Sequence, residues 1–298
     1  MRILITGGSG FIGRKLIENL KNDYEIVILS RQPRKQKVGG VKIVEWDGKT
    51  DHDWGHLADG AFAIINLAGE NIGGSYWSPS QKGAIKDSRT QAGKAVMYAI
   101  SAAKVKPKVL IQASAVGYYG DAPQPIDESA PNGNDFLAEV CQAWEESTKD
   151  AEQFGVRRVV IRTGVVIDPK GDALKKMMIP FYLFAGGPLG SGKQFFPWIH
   201  PADEIGAIRF LMENTNARGA YNVMAPTPIT NKEFARTLGK VMWRPSFMPA
   251  PSLALKIVLG EMSMIVLEGQ NARPKRLLEA GYKFKFEDAE SALRDLLK

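Results

Sequence analysis

Apolar and polar positions follow two rhythms along the first half of the chain. Short apolar runs predict strands over 2–6, 25–30, 41–46, 61–67, 108–114 and 158–167. Three-to-four-residue spacing predicts helices over 11–20, 78–103, 135–154 and 172–184. Runs such as Phe62-Ala63-Ile64-Ile65 carry no polar face, which suits a parallel sheet covered by helices on both sides. The βαβ alternation predicts an α/β, Rossmann-type doubly wound parallel sheet with right-handed crossovers. After residue 167 the texture changes to a Gly-rich loop at 186–192 and the aromatic run Phe195-Phe196-Pro197-Trp198. Prolines at 245, 249 and 251 suggest a boundary near Pro245. The expected division is 1–244, with substrate-side insertions from about 170, and a smaller, mostly helical region over 245–298.

The first strand runs directly into Thr6-Gly7-Gly8-Ser9-Gly10-Phe11-Ile12-Gly13 and then into the first helix. Strand, tight turn and helix in that order make a cradle for a dinucleotide. Gly7 suits the turn, Gly10 admits a diphosphate close to the main chain, and Gly13 lets helix and strand pack closely. The helix N-terminus offers unpaired N–H groups to the anion. The spacing Gly7-x-x-Gly10-x-x-Gly13 has one more residue between the first two glycines than the commonest form.

Composition narrows the setting. A length of 298 residues with 44% hydrophobic and 24% charged content is that of an ordinary globular protein. One cysteine, Cys141, excludes an intrachain disulfide and fits a reducing, cytoplasmic compartment. The segment 1–6 is too short for a signal-peptide core, and no apolar run approaches the roughly 20 residues that cross a bilayer, so no membrane partner is expected. The net charge of +7 raises nucleic acid as a partner. The densest basic stretch, from Arg31 to Lys42, comes without any nucleic-acid-binding motif, so an anionic cofactor is the simpler expectation. Three histidines without paired cysteine or carboxylate spacing predict no metal site.

The second strand selects the dinucleotide. An acid at its tip would bond a ribose 2′-hydroxyl, but the strand ends in Ser30-Arg31. Hydroxyl and guanidinium suit a 2′-phosphate, with Arg34 or Lys35 as helpers, so NADP(H) is expected over NAD. Asp47, ending the third strand, either bonds the adenine amine or caps a turn. Leu67, Ala68 and Gly69 close the fourth strand beside the dinucleotide path. Arg89 either reaches toward the phosphates or makes a surface ion pair.

With these features the chain resembles the extended short-chain dehydrogenase/reductase superfamily. It is similar in particular to the "epimerase family" branch, some of whose bacterial members carry the historical label of cell-division inhibitor. The matching segments lie at 6–13, 66–72, 114–120, 135–145, 162–166, 186–200 and 267–284, spread over nearly the whole chain. The resemblance implies a Rossmann core, a nicotinamide cofactor and a small C-terminal domain of undefined role. By matching position it implies cofactor contacts at Ser30, Arg31, Leu67, Ala68, Arg89 and Val165. A homodimer would be usual for the superfamily.

The superfamily's chemistry uses a Ser or Thr with a Tyr-x-x-x-Lys pair on one helix face. Ser114 fits the first role, four residues before Tyr118. The pair is absent: Leu137 and Cys141 stand at the expected positions, no Tyr occurs between Tyr119 and Tyr182, and no Lys between Lys108 and Lys149. Ser114 and Tyr118 are therefore the candidate catalytic residues, with Tyr119, Cys141 and Glu70 as other proton donors. Two functions follow: a hydride-transfer enzyme on an unknown small carbonyl or sugar-nucleotide-like substrate, or a catalytically silent NADPH-binding regulatory module. Phe196, Trp198 and His200 are expected to line or support the cleft, with His200 bonded to Asp203.

Overall fold

The computed structural model describes residues 1–33 and 41–298. Seven strands form one parallel sheet: β1 (Arg2–Thr6), β2 (Glu25–Ser30), β3 (Lys42–Glu45), β4 (Ala63–Asn66), β5 (Val109–Ala115), β7 (Arg157–Thr163) and β10 (Gly219–Val223). Their spatial order is β10-β7-β5-β4-β1-β2-β3. The chain winds outward from β1 toward β3, then returns to β4 and builds the other half. The strand order therefore reverses between β1 and β4, which is where α/β sheets hold ligands. Helix α1 (Phe11–Leu20) lies on one face, and α2 (Pro79–Ala102) with α3 (Phe136–Glu146) on the other. The central strands are buried from end to end, as their unbroken apolar runs require.

Two predicted elements are broken. The strand expected over 158–167 stops at Thr163, and β8 (Val165–Val166) pairs with β9 (Trp198–Ile199) in a separate ladder. Gly164 is the cause: a Cβ there would lie 2.4 Å from the Pro197 carbonyl oxygen, so the chain crosses another backbone at that point. The helix expected over 135–154 ends as α3 at Glu146 and resumes as a 3-10 segment, Lys149–Phe154. Ser147 and Thr148 donate their hydroxyls to the Trp144 and Glu145 carbonyls, drawing those acceptors away from helical partners.

The second half adds α4 (Asp172–Tyr182), α5 (Pro201–Glu213), α6 (Asn231–Met242), α7 (Ser252–Leu259), α8 (Met264–Leu267), α9 (Lys275–Glu279) and α10 (Ala289–Leu296). Strand β11 (Gln270–Ala272) pairs with β6 (Ala122–Ile126), and Leu277 enters the main core. Asp203, at the start of α5, accepts the Lys285 and Phe286 N–H groups at 2.8 and 3.0 Å, tying the C-terminal stretch to the sheet. Among the described residues no helix is long and apolar enough to cross a membrane.

Candidate functional site

At the switch point the main chain itself forms the cradle. Gly7 has φ +67°, and a Cβ on it would lie 2.7 Å from the Leu67 carbonyl group, so β1 and β4 touch there through backbone. A Cβ on Gly13 would meet the Gly7 carbonyl oxygen at 2.5 Å, the close helix–strand packing expected of it. Gly10 is the N-cap of α1 and has no side chain to occupy the N-terminus. The first-turn N–H groups of Phe11 and Ile12, with Ser9 before them, face the position that a diphosphate needs. These residues fit a dinucleotide.

A polar ladder, not foreseen from the sequence, fixes the strand tips beneath the cradle. Thr6 Oγ1 donates to Asn66 Oδ1 at 2.6 Å and accepts the Ala68 N–H at 3.2 Å. Asn66 Nδ2 donates to Gln112 Oε1 at 2.9 Å, and Gln112 donates to the Ala113 carbonyl. All three side chains are fully buried, and each is satisfied by the next. The signal was a single polar residue near the end of each apolar run.

Ser30 and Arg31 stand together at the tip of β2. Ser30 is buried and accepts the Gln32 N–H. The Arg31 guanidinium is exposed and lies 3.9 Å from Glu70 across the groove between β2 and β4. Arg34 and Lys35 lie outside the described residues. Asp47 closes its own turn, accepting from the Lys49 and Thr50 N–H groups and the Thr50 hydroxyl. Arg89 makes no surface ion pair, against that alternative: it is buried, donates to the Ile85 carbonyl and lies over the Trp144 ring. A Cβ on Gly69 would sit 3.0 Å from the Arg89 Cζ, so the guanidinium supports the loop after β4 from below. Burial pushes its pKa below the ordinary arginine value. Val165 is half-buried in β8, past the tip of β7.

Ser114 lies near the end of β5, where sheet register sets it opposite Arg162 on β7. Both side chains meet Glu145 from α3. Ser114 Oγ donates to Glu145 Oε1 at 2.7 Å, and Arg162 grips the same carboxylate with Nε and Nη2 at 2.9 and 3.0 Å. Burial alone would lower the guanidinium pKa, but the bonds and charge of Glu145 outweigh it and hold Arg162 above its ordinary value. Tyr118 is half-buried with its ring over the Arg162 guanidinium, 3.5 Å from Cζ to centroid. Tyr119 is drawn inward, donating to Asn222 and accepting from Arg162, and burial pushes its hydroxyl up to about 12. Cys141 is buried beside them; burial, then the Glu145 charge, pushes its thiol up to about 11. Neither is a ready proton donor near neutral pH.

A cleft of about 640 Å³ opens between the start of α3, α7 and the loop before α2, and neither Ser114, Glu145 and Arg162 nor the cradle glycines are among its walls. Trp77 from the loop before α2, Phe136 at the start of α3, and Ser252 and Lys256 on α7 are among its walls. Phe196 and Trp198 do not line it: Trp198 is buried, and Phe196 packs on Phe234. They support the second-half core instead. His200 meets Asp203 through the main chain, its carbonyl accepting the Asp203 N–H at 3.0 Å at the start of α5. It caps α5, its Nδ1 accepting the Ala202 N–H at 3.0 Å, and stacks on Phe286. Among the described residues no group of three His, Cys, Asp or Glu side chains is arranged to hold a metal.

The profile of the NAD-dependent epimerase/dehydratase family matches residues 3–224, and that of a domain of unknown function matches residues 250–296. An Arabidopsis thaliana protein, "epimerase family protein SDR39U1 homolog, chloroplastic", is 41% identical over 310 residues, covering 100% of this chain and 87% of the relative. The Bacillus subtilis epimerase family protein YfhF is 37% identical over 303 residues, covering 100% and 98%. The crystal structure of human epimerase family protein SDR39U1 with NADPH superposes with a TM-score of 0.88 at 34% identity, covering 99% of each chain.

Proposed function

The chain belongs to the NAD-dependent epimerase/dehydratase family, and from that premise we propose an NADP(H)-dependent enzyme of the oxidoreductase or epimerase type. Its substrate is a small carbonyl or sugar-nucleotide-like molecule. One observation carries the reading: the Ser114 hydroxyl points at the Glu145 carboxylate, 2.7 Å away, beside the positions where Leu137 and Cys141 replace the usual Tyr and Lys. The NADPH named with the human relative supports the choice of cofactor.

Bound NADP(H) supplies or accepts the hydride. The cradle N–H groups hold the diphosphate, while Ser30 and Arg31 hold the 2′-phosphate. Ser114, its proton directed to Glu145, offers a lone pair to a substrate hydroxyl. As that hydroxyl loses its proton to Ser114 Oγ, the Ser114 proton moves to Glu145 Oε1. Arg162 fixes the carboxylate in place, and the Tyr118 ring braces Arg162. The buried single thiol suits the reducing cytoplasm.

Two measurements test this. Ser114→Ala is expected to lower turnover about 10²- to 10⁴-fold, the usual range for a positioned acid–base group, with NADPH binding unchanged. Survival of turnover in that variant would remove Ser114 from the chemistry. Arg31→Ala is expected to weaken NADPH at least about tenfold and leave NADH alone, as loss of one charge-assisted phosphate contact should. Equal effects on both cofactors would overturn the 2′-phosphate assignment. A second reading, the catalytically silent NADPH-binding module, draws support from the burial of Ser114 at 4% exposure. NADPH binding with no turnover across a broad panel of carbonyl and nucleotide-sugar compounds would select it.

A further inference from the structure

Helix α7 reads Ser-Leu-Ala-Leu-Lys-Ile-Val-Leu, yet none of its residues is buried. Leu253 and Ile257 are 71% and 74% exposed, and Val258 is exposed beside them. The surface continues toward α4 and α6. Residues 246–250 run alongside 186–190, with Met248 N–H donating to Gly186 and Ala250 N–H to Pro188. That pairing brings Phe184 at the end of α4 to Trp243 and Phe247 after α6, and Trp243 is 84% exposed. The Arg244 guanidinium lies over the Phe184 ring at 4.7 Å, inside the patch. An exposed apolar surface of this extent marks a contact site.

Charge identifies what covers it. Residues 173–202 and 234–260, which supply the patch, contain no acid. Between them they carry seven cations, Lys175, Lys176, Lys193, Arg236, Lys240, Arg244 and Lys256, of which Lys240 is paired with Glu290 at 2.8 Å. Seven is also the net charge of the whole chain. A second copy docking face to face would set these positive segments against each other, which disfavours the homodimer through this surface. An exposed Trp and Phe set, an apolar helix and surrounding cations together match the edge of a bilayer with anionic headgroups.

We propose that this face binds the surface of an anionic lipid membrane, with α7 lying in the interface. The expectation of no membrane partner rested on the lack of a spanning segment, and surface binding needs none. Ser252 and Lys256 of the same helix also line the 640 Å³ cleft, whose other walls include Lys82, Asp135, Glu261 and Glu268.

Cosedimentation of the full-length protein with phosphatidylcholine vesicles, with and without about one-third phosphatidylglycerol, tests the proposal. Binding is expected only to the anionic vesicles and should weaken as salt rises. Leu253→Glu with Ile257→Glu should abolish it. Arg244→Gln and Lys256→Gln should each weaken it about fivefold, the effect of one basic residue near such a surface. NADPH binding by each variant shows that the fold is intact. Equal binding to neutral vesicles, no sedimentation with anionic ones, or undiminished binding by the double glutamate variant would overturn the proposal. So would a dimer in sedimentation velocity that the same variant dissolves, which would assign the face to a second copy.

Discussion

Replacing Glu145 with leucine is expected to cost about 4 kcal/mol of stability, because it strands a charge inside the protein. Arg162 is 5% exposed and bound through Nε and Nη2 to the Glu145 carboxylate. Its remaining partners are the Tyr119 hydroxyl at 3.0 Å and a 3.5 Å contact with the Glu128 carbonyl, neither of them charged. Without Glu145, a guanidinium held by neutral groups alone must stay buried or be pushed out through the Tyr118 and Tyr119 rings. For a chain of this size the loss corresponds to a fall in Tm of roughly 6 °C. The double variant Glu145→Leu with Arg162→Met should recover most of it, since an apolar pair of similar volume often replaces a buried ion pair at little cost. A single variant within about 1 kcal/mol of the parent, measured by chemical denaturation, would show that Arg162 finds another anion. The same cycle separates stability from chemistry: the double variant should fold and bind NADPH, yet show no turnover.

The cradle was legible because its chemistry is local. Gly7, Gly10 and Gly13 lie within seven residues, and the strand before them and the helix after them repeat over short spans. The sheet was equally legible, since a buried parallel strand leaves a continuous apolar run such as Ile3-Leu4-Ile5. The Ser114–Glu145–Arg162 group was not. Its members are separated by 31 and 17 residues, and only the β5–β7 register with the placement of α3 brings them together. Periodicity also misjudged where elements end. Gly164 breaks a strand because Pro197, distant in sequence, passes within contact of it. Ser147 and Thr148 end α3 by capturing carbonyls, a competition that apolar spacing does not register. For Asp47 and Arg89 the sequence offered two partners each; the fold gives Asp47 the donors of its own turn and buries Arg89 against the Ile85 carbonyl, contacts that apolar spacing does not register.

Glu204 gives the second large effect. It stands in the first turn of α5, inside the protein: the residue is fully buried, Oε1 accepts the Thr163 hydroxyl at 3.0 Å, and Oε2 has no partner among the described residues. Burial pushes its carboxyl up to about 8, so it is neutral in the folded protein at neutral pH and ionised in the unfolded chain. Between the unfolded pKa of about 4.5 and the folded value, the folded state holds the extra proton. Stability must therefore fall as pH rises through that window and level off above it. Each pH unit climbed within the window costs about 1.4 kcal/mol, which makes the penalty at pH 7 roughly 3 kcal/mol. Glu204→Gln keeps an acceptor for Thr163 and cannot ionise. The variant should match the parent near pH 4, below the unfolded pKa, and exceed it by a margin that grows toward pH 8. Burial also raises the Glu128 carboxyl, which adds its own pH dependence. Subtracting the two denaturation profiles cancels that contribution and leaves Glu204 alone. A pH-independent difference would mean that water or a main-chain donor reaches Oε2 and that the carboxylate is ionised in the native protein.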